Sequence, residues 1–285
     1  MGQVTQFVPG VANELQSVVV NIPASLLPQG RIVQHALIFN GNATAGDVVR
    51  IAVLAGGIPV YNMLVGAANT QHFLAFLQRF WGIGLNPAVH YLPIPFYFGD
   101  EAGQLERDVC QVPPGLPISI QITFGAFGAA GADPSIDVIS TITDVEPQWT
   151  PLLISSSMGI LLNQNNRPYD PKTSGLLRGI TINPTGLARF YFSVAGVQIF
   201  NGASGASLIA EQVLKDTTPG ATGATLNPIC RKTLPWRPMN SGGTIAQLTT
   251  GAAWAGAGNE LGLYTVIPVV KGVPTMPLMA GAPGG

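Results

Sequence analysis

The feature that most constrains this chain is an internal repeat. Residues 51–75 align without gaps on 190–214, at an offset of 139. Four pairs are identical: Gly57/Gly196, Asn62/Asn201, Gly66/Gly205 and Ala67/Ala206. Seven more pair apolar with apolar: Ile51/Phe190, Val53/Phe192, Ala55/Val194, Ile58/Val197, Val60/Ile199, Tyr61/Phe200 and Leu74/Val213. Upstream, Ile32, Val33, Ala36 and Ile38 match Leu176, Leu177, Ile180 and Ile182 near an offset of 144. Downstream, residues 121–126 (QITFGA) match 247–252 (QLTTGA) at 126, and Ile136, Val138 and Ile142 match Leu261, Leu263 and Ile267 at 125. The blocks recur in one order, and the offset changes only between them, as loop insertions would make it. The chain reads as two copies of one domain.

Each copy is rich in short strands. In the first, 31–39, 47–55 and 58–65 read as strands separated by the turns Asn40-Gly41-Asn42 and Gly56-Gly57. Residues 67–81 read as a helix with Asn69 or Thr70 as its cap, one face formed by Phe73, Phe76, Leu77 and Phe80, and Gly82 as its stop. Strands follow at 91–98, 117–125 and 135–144. The second copy repeats this with strands at 176–182, 187–195 and 197–203, a helix at 206–215, and strands near 244–250 and 260–269. A helix follows a strand once per copy, so a parallel α/β sheet is not supported and a sandwich is. The expected division is an N-terminal arm over 1–28, a first domain over 29–147, a connection over 148–173, a second domain over 174–270 and a tail over 271–285.

Composition agrees with this and removes other classes. Of 285 residues, 13 are Lys or Arg and 14 Asp or Glu, only 9% charged, while 47% are apolar. That excludes an intrinsically disordered chain. The 35 Gly and 24 Pro exclude long helices and coiled coils. A net charge of −1 argues against a basic nucleic-acid binder. The uncharged stretches 51–71 and 190–210 are interrupted by Gly and Asn, so neither reads as a spanning helix. The N-terminus shows no signal-peptide pattern, and Gln6 breaks the myristoylation motif begun by Gly2.

No catalytic constellation emerges, so no catalytic, cofactor or metal residues are assigned and the chain reads as a non-enzyme. Nucleophile elbow, Walker A, dinucleotide, zincin and EF-hand patterns are all missing from the sequence. His35, His72 and His90 have no acid or Cys/His at ligand spacing and read as structural. Cys110 and Cys230 form no metal motif; they read as buried thiols, with a disulfide as the alternative. The acidic group Asp100, Glu101, Glu106 and Asp108 has the hard oxygens a Ca²⁺ ion takes, but a solvated loop is the plainer reading, so no cofactor is assigned. Arg231, Lys232 and Arg237 around Pro235-Trp236 read as a loop against a partner subunit, with an anion or a stacked base as the alternative.

The repeat unit carries a resemblance. A Gly-led strand, Gly175-Leu176-Leu177-Arg178-Gly179-Ile180-Thr181-Ile182, precedes a strand running into a small-residue helix start, Val197-Gln198-Ile199-Phe200-Asn201-Gly202-Ala203-Ser204-Gly205-Ala206-Ser207-Leu208. Its counterpart is Ile58-Pro59-Val60-Tyr61-Asn62-Met63-Leu64-Val65-Gly66-Ala67-Ala68-Asn69. This resembles the double-jelly-roll major capsid proteins of tailless icosahedral viruses, particularly bacteriophages with an internal membrane. The resemblance covers roughly residues 30–270. It implies an all-β fold with short helices: two tandem eight-stranded jelly rolls. It also implies a homotrimer of pseudo-hexameric outline that tiles an icosahedral shell. The implied partners are neighbouring capsomers, penton or minor capsid proteins and an internal lipid membrane. The implied place is the virion, after assembly in the host cytoplasm. Direct contact with nucleic acid is not expected: residues 1–30 carry no Lys, and Arg31 lies just beyond.

Two other classes compete. A tandem jelly-roll carbohydrate-binding protein, adhesin or phage spike would use exposed aromatic platforms, for which Trp149, Trp236 and Trp254 are the candidates. A cupin-type metalloenzyme needs a His/Glu cluster that the sequence does not offer. The charge shortage separates them from a shell protein, whose lateral faces are buried against neighbours and depleted in charge.

Overall fold

The structure is a computed structural model. It describes residues 2–8, 15–26, 31–41, 43–65, 71–85, 88–96, 110–111, 115–127, 135–143, 149–157, 165–169, 175–184, 186–194, 196–215, 229–239, 244–250 and 260–268.

The first half contributes β1 (Gly2–Val8), β2 (Ser17–Ile22), β3 (Arg31–Phe39), β4 (Val48–Ala55), β5 (Ile58–Leu64), α1 (His72–Trp81), β6 (Tyr91–Pro95), the two-residue β7 (Cys110–Gln111), β8 (Ile118–Phe124) and β9 (Ile136–Ile142). The second contributes β10 (Trp149–Ser157), β11 (Asn165–Tyr169), β12 (Gly175–Ile182), β13 (Leu187–Val194), β14 (Val197–Ala203), α2 (Gly205–Lys215), β15 (Ile229–Met239), β16 (Thr244–Thr250) and β17 (Glu260–Pro268).

The topology is one pattern written twice. The first half pairs as β1-β9-β3-β6, facing β2-β8-β4-β5. The second pairs as β10-β17-β12-β15, facing β11-β16-β13-β14. Strand for strand these are the same two four-stranded orders, and each half is a jelly roll of two packed antiparallel sheets. The inner faces follow from alternation. In β8, Ile118, Ile120, Ile122 and Phe124 are buried while Gln121 is exposed; in β9, Ile136, Val138 and Ser140 are buried.

The repeat offsets survive as element boundaries. β4 and β5 map onto β13 and β14 at 139, and β8 maps onto β16 at 126. One offset needs correction. Both β3 and β12 carry an irregularity in their pairing, between Ile32 and Gln34 and between Leu177 and Gly179. Beyond it, Leu37 lies opposite Val138 and Ile180 opposite Leu263. Leu37 therefore corresponds to Ile180, and Ala36 to Gly179, one residue away from the match read in the sequence. A bulge reverses which residues face inward, which a gapless alignment cannot register.

The expected boundaries also shift. Residues 1–28 are not an arm: β1 and β2 lie in this span and are one strand of each sheet in the first roll. Residues 148–173 are not a mere connection, because β10 and β11 hold the same places in the second roll. These strands lie outside the matched blocks, so the repeat could not claim them. The expected tail, 271–285, lies outside the described residues.

The rolls are joined through a sheet. β5 pairs in parallel with β10, with Tyr61 opposite Leu153 and Asn62 opposite Ile154. One sheet of each roll thereby fuses into an eight-stranded sheet, β15-β12-β17-β10-β5-β4-β8-β2.

Candidate functional site

Among the described residues, no three His, Cys, Asp or Glu side chains gather where they could hold a metal ion. The most elaborate arrangement of side chains is instead the seam between the rolls. Its centre is α1, which belongs to the first roll by sequence but packs on β12 and β15 of the second.

The sequence makes this helix a two-sided plug. His72, Phe73, Leu74, Ala75, Phe76, Leu77 and Phe80 are all buried, far more than one apolar stripe. Gly82 ends it with φ 66°, in the left-handed region, and the Ile83 N–H donates to the Leu77 carbonyl at 3.1 Å. The N-cap is Gln71, which makes no side-chain capping bond; the expected caps Asn69 and Thr70 lie outside the described residues.

Aromatic rings fill the seam. Tyr264 of β17 meets Phe76 at 5.8 Å and Phe80 at 4.9 Å edge-on, and stacks on Trp81 at 5.6 Å. Tyr61 lies 4.7 Å from Phe96, and its hydroxyl donates to the Pro95 carbonyl. Glycines open the room. A Cβ on Gly179 would sit 2.6 Å from the Phe80 ring. One on Gly262 would collide with the Thr181 hydroxyl and lie 3.2 Å from His72 Nδ1 and 3.3 Å from Met63.

Among the described residues, a buried polar pair spans the seam: His72 Nδ1 and Thr181 Oγ1, 2.7 Å apart across the two rolls. Burial pushes the His72 imidazole down to about 3, and the charge of Arg50 acts in the same direction. His72 is therefore neutral at neutral pH. A second buried histidine, His35, lies inside the first roll with Nδ1 2.7 Å from Ser140 Oγ and its ring edge-on to Phe96 at 5.3 Å. Burial lowers it to about 3 as well. A neutral histidine with one nitrogen engaged by a hydroxyl and the other enclosed by protein holds shape rather than moving protons.

No family model matches the sequence, and no curated protein matches it. Solved structures do match the fold. The major capsid protein P2 from bacteriophage PM2 superposes with a TM-score of 0.61 at 13% identity, over 95% of this chain and 99% of that one. The STIV MCP gives 0.59 at 13%, over 93% of this chain and 96% of that one. PBCV-1 VP54 gives 0.51 at 10%, over 99% and 97%. The chain has the double-jelly-roll fold of viral major capsid proteins.

In this double jelly roll the residues singled out from the sequence do not converge. His35 and His72 lie in separate places, and His90 Nδ1 bonds the Ala43 carbonyl at 2.8 Å. Arg231, Lys232, Pro235, Trp236 and Arg237 lie in strand β15, paired with β12, rather than in a loop. Prolines in an edge strand are compatible with pairing, which composition alone concealed. Trp149 is partly buried against the apolar cluster that runs from the first roll through the seam. Cys230 is buried at 5% exposure, and Cys110 is in β7 beside β3. Asp100, Glu101, Glu106, Asp108 and Trp254 lie outside the described residues. Sequence reasoning missed the seam. Its signals were a helix with apolar residues around most of its circumference and the unexplained glycines 179 and 262. Among the described residues, no helix is long and apolar enough to cross a membrane.

Proposed function

We propose that this chain is the major capsid protein of an icosahedral virus. Three copies form a capsomer of pseudo-hexameric outline, which packs against neighbouring capsomers and against penton or minor capsid proteins in the virion. The observation that carries the reading is the duplicated jelly roll joined side by side in one chain, an arrangement that matches capsid proteins over nearly the full length of both partners. Six similar rolls from three chains suit a sixfold outline, and ring contacts of this kind are heterologous.

The charge shortage supports it. With 9% charged residues, two ordinary solvent-facing domains would be poorly covered, whereas faces buried between subunits are depleted in charge. The chain acts as scaffold, without catalysis or cofactor, and an internal lipid layer rather than nucleic acid lies beneath it. Assembly takes place in the host cytoplasm.

Light scattering of the purified protein tests the reading. The expected mass is three times the 29.7 kDa of one chain, with a hexagonal outline in negative-stain images. A stable monomer at micromolar concentration would overturn it.

A further inference from the structure

The outer sheet face of β2 and β8 is open to water yet carries no charge. On β2, Val20 and Ile22 are buried in the roll, and Ser17, Val19 and Asn21 alternate with them as exposed residues. On β8, Thr123, Gln121 and Ser119 lie opposite these three and share their face. The four strands β2, β4, β5 and β8 contain a single charged residue, Arg50, whose guanidinium donates to Asn62 Oδ1 at 2.9 Å. A surface made for water alone mixes charges of both signs.

The hydroxyls of this face are paired within it. Ser17 Oγ and Thr123 Oγ1 are 2.9 Å apart, and Ser119 Oγ donates to Asn21 Oδ1 at 2.7 Å. Removing water leaves both bonds in place, so these groups can be covered without being left unsatisfied. Between the two pairs lie Val19, 50% exposed, and Gln121 opposite it. Leu15 precedes the strand, 75% exposed, with φ 60°. Among the described residues no other non-glycine residue has a positive φ. The left-handed region is unfavourable for a bulky side chain. A strained backbone that holds a leucine in water gives the isolated chain nothing and suits an anchor for a contact.

We infer that this face binds the same face of a second copy of this chain about a twofold axis beside Gln121, joining one trimer to the next. A face without charge meets its own twin with no like-charge repulsion. The Gln121 amide is both donor and acceptor, so two copies of it can bond each other across the axis. Contacts of this kind are isologous, unlike the ring contacts within a trimer. A lipid surface, in contrast, is met by clustered Lys and Arg. The inference rests on the trimeric capsomer proposed above and names the face through which capsomers meet.

The test follows the full-length protein by analytical ultracentrifugation over rising concentration. The unmodified chain is expected to form trimers and then pairs of trimers. Gln121→Glu and Gln121→Lys should each keep the trimer and raise the concentration for half-association by more than about tenfold, because like charges then face each other. An equimolar mixture of the two variants should restore association, since opposite charges meet at the axis. Undiminished association in either variant alone, or no recovery in the mixture, overturns the inference. Loss of the trimer itself in either variant places the face inside the capsomer and overturns it too. Leu15→Asn, which tolerates the left-handed region, should weaken association without lowering the melting temperature. A lowered melting temperature with unchanged association overturns the anchor role. Flotation of the unmodified protein with neutral phosphatidylcholine vesicles, abolished by Val19→Arg, would assign the face to lipid instead. A monomer for the unmodified protein overturns the capsomer reading itself, whereas a trimer that never associates further overturns only this inference.

Discussion

Helices α1 and α2 follow equivalent strands of two rolls with the same topology, yet they live in different surroundings. α1 is enclosed by both rolls, and seven of its ten residues are buried. α2 packs on β13 and β15 of its own roll, with Leu208 buried and Ala206, Ser207 and Ala210 exposed. The buried clusters divide in the same way. That of the first roll continues through the seam to Leu152, Leu153, Cys230, Tyr264 and Val266, while that of the second is confined to its own interior. A jelly roll here thus needs only one apolar interior to fold. The second apolar surface that surrounds α1 exists to bind one roll to the next. What distinguishes the copies is position in a chain of contacts rather than internal architecture.

The largest expected effect comes from cutting that second surface. Phe76→Ala empties a fully buried site between Phe80 and Tyr264, and should cost about 3–5 kcal/mol. The equivalent cut inside the second roll, Leu208→Ala, falls in the about 2–5 kcal/mol range for buried leucines. The two should differ in kind as well. Loss of Phe76 uncouples the rolls, so urea unfolding followed by circular dichroism and by tryptophan fluorescence should give non-coincident transitions; loss of Leu208 should not. Coincident transitions in Phe76→Ala would show that α1 does not bind the rolls together.

The histidines compare the roll interior with the seam by pH. Both His35 and His72 are held near 3 by burial, against about 6.5 when unfolded. Between those values the unfolded chain takes up protons that the folded chain refuses. Stability is therefore full above about pH 6.5 and is lost as pH falls toward 3, by roughly 1.4 kcal/mol per unit for each histidine. His72→Asn should reduce the slope of urea stability between pH 6.5 and 5 by one histidine's share. His35→Asn should do the same from inside the first roll. An unchanged slope in either variant would mean that the imidazole is not excluded from water as the structure has it.

How far the fold was legible follows from where the repeat reached. Strands β3, β4, β5, β8, β9, β12, β13, β14, β16 and β17 all lie in or beside matched blocks and fall close to their expected spans. The missed strands have physical reasons. β11 is polar and contains Pro168, and β15 contains Pro235 and Pro238 with three cations, so neither alternates like a half-buried strand. Among the described strands both stand at a sheet edge, where a missing N–H is tolerated. β10 contains Pro151 but pairs with β5 only at Leu153 and Ile154, so the proline costs no bond on that side. The seam was illegible for another cause. Nothing in a one-dimensional pattern says that Gly179, Gly262, His72 and Thr181, far apart in the chain, share one crowded space.

Those glycines give the next effect in size. Gly262→Ala places a methyl against the Thr181 hydroxyl and 3.2 Å from His72 Nδ1, so α1 or β12 must shift. Overpacking of this kind costs about 1–3 kcal/mol. Thr181→Ala in the same chain should recover part of the loss, because the atom in conflict is then gone. Additive losses in the double variant would place the strain elsewhere.

The smallest expected effect tests the likeness of the rolls instead of their difference. Gly57 and Gly196 are a matched pair in the repeat, and both turn a hairpin, between β4 and β5 and between β13 and β14. Both have positive φ, 87° and 74°, and a Cβ on either would meet nothing within 4 Å. Space is therefore not at issue, and only the backbone penalty remains, about 1 kcal/mol for a non-glycine residue in this region. Gly57→Ala and Gly196→Ala should lower stability by equal amounts in urea titrations, although one turn lies in the roll whose core runs into the seam and the other does not. Equal costs mean that the hairpins are independent of the join and that the copies differ only where they touch. A markedly larger cost at Gly57 would mean that the join reaches back through β5 into the turn, and that the two rolls are no longer interchangeable even in their local geometry.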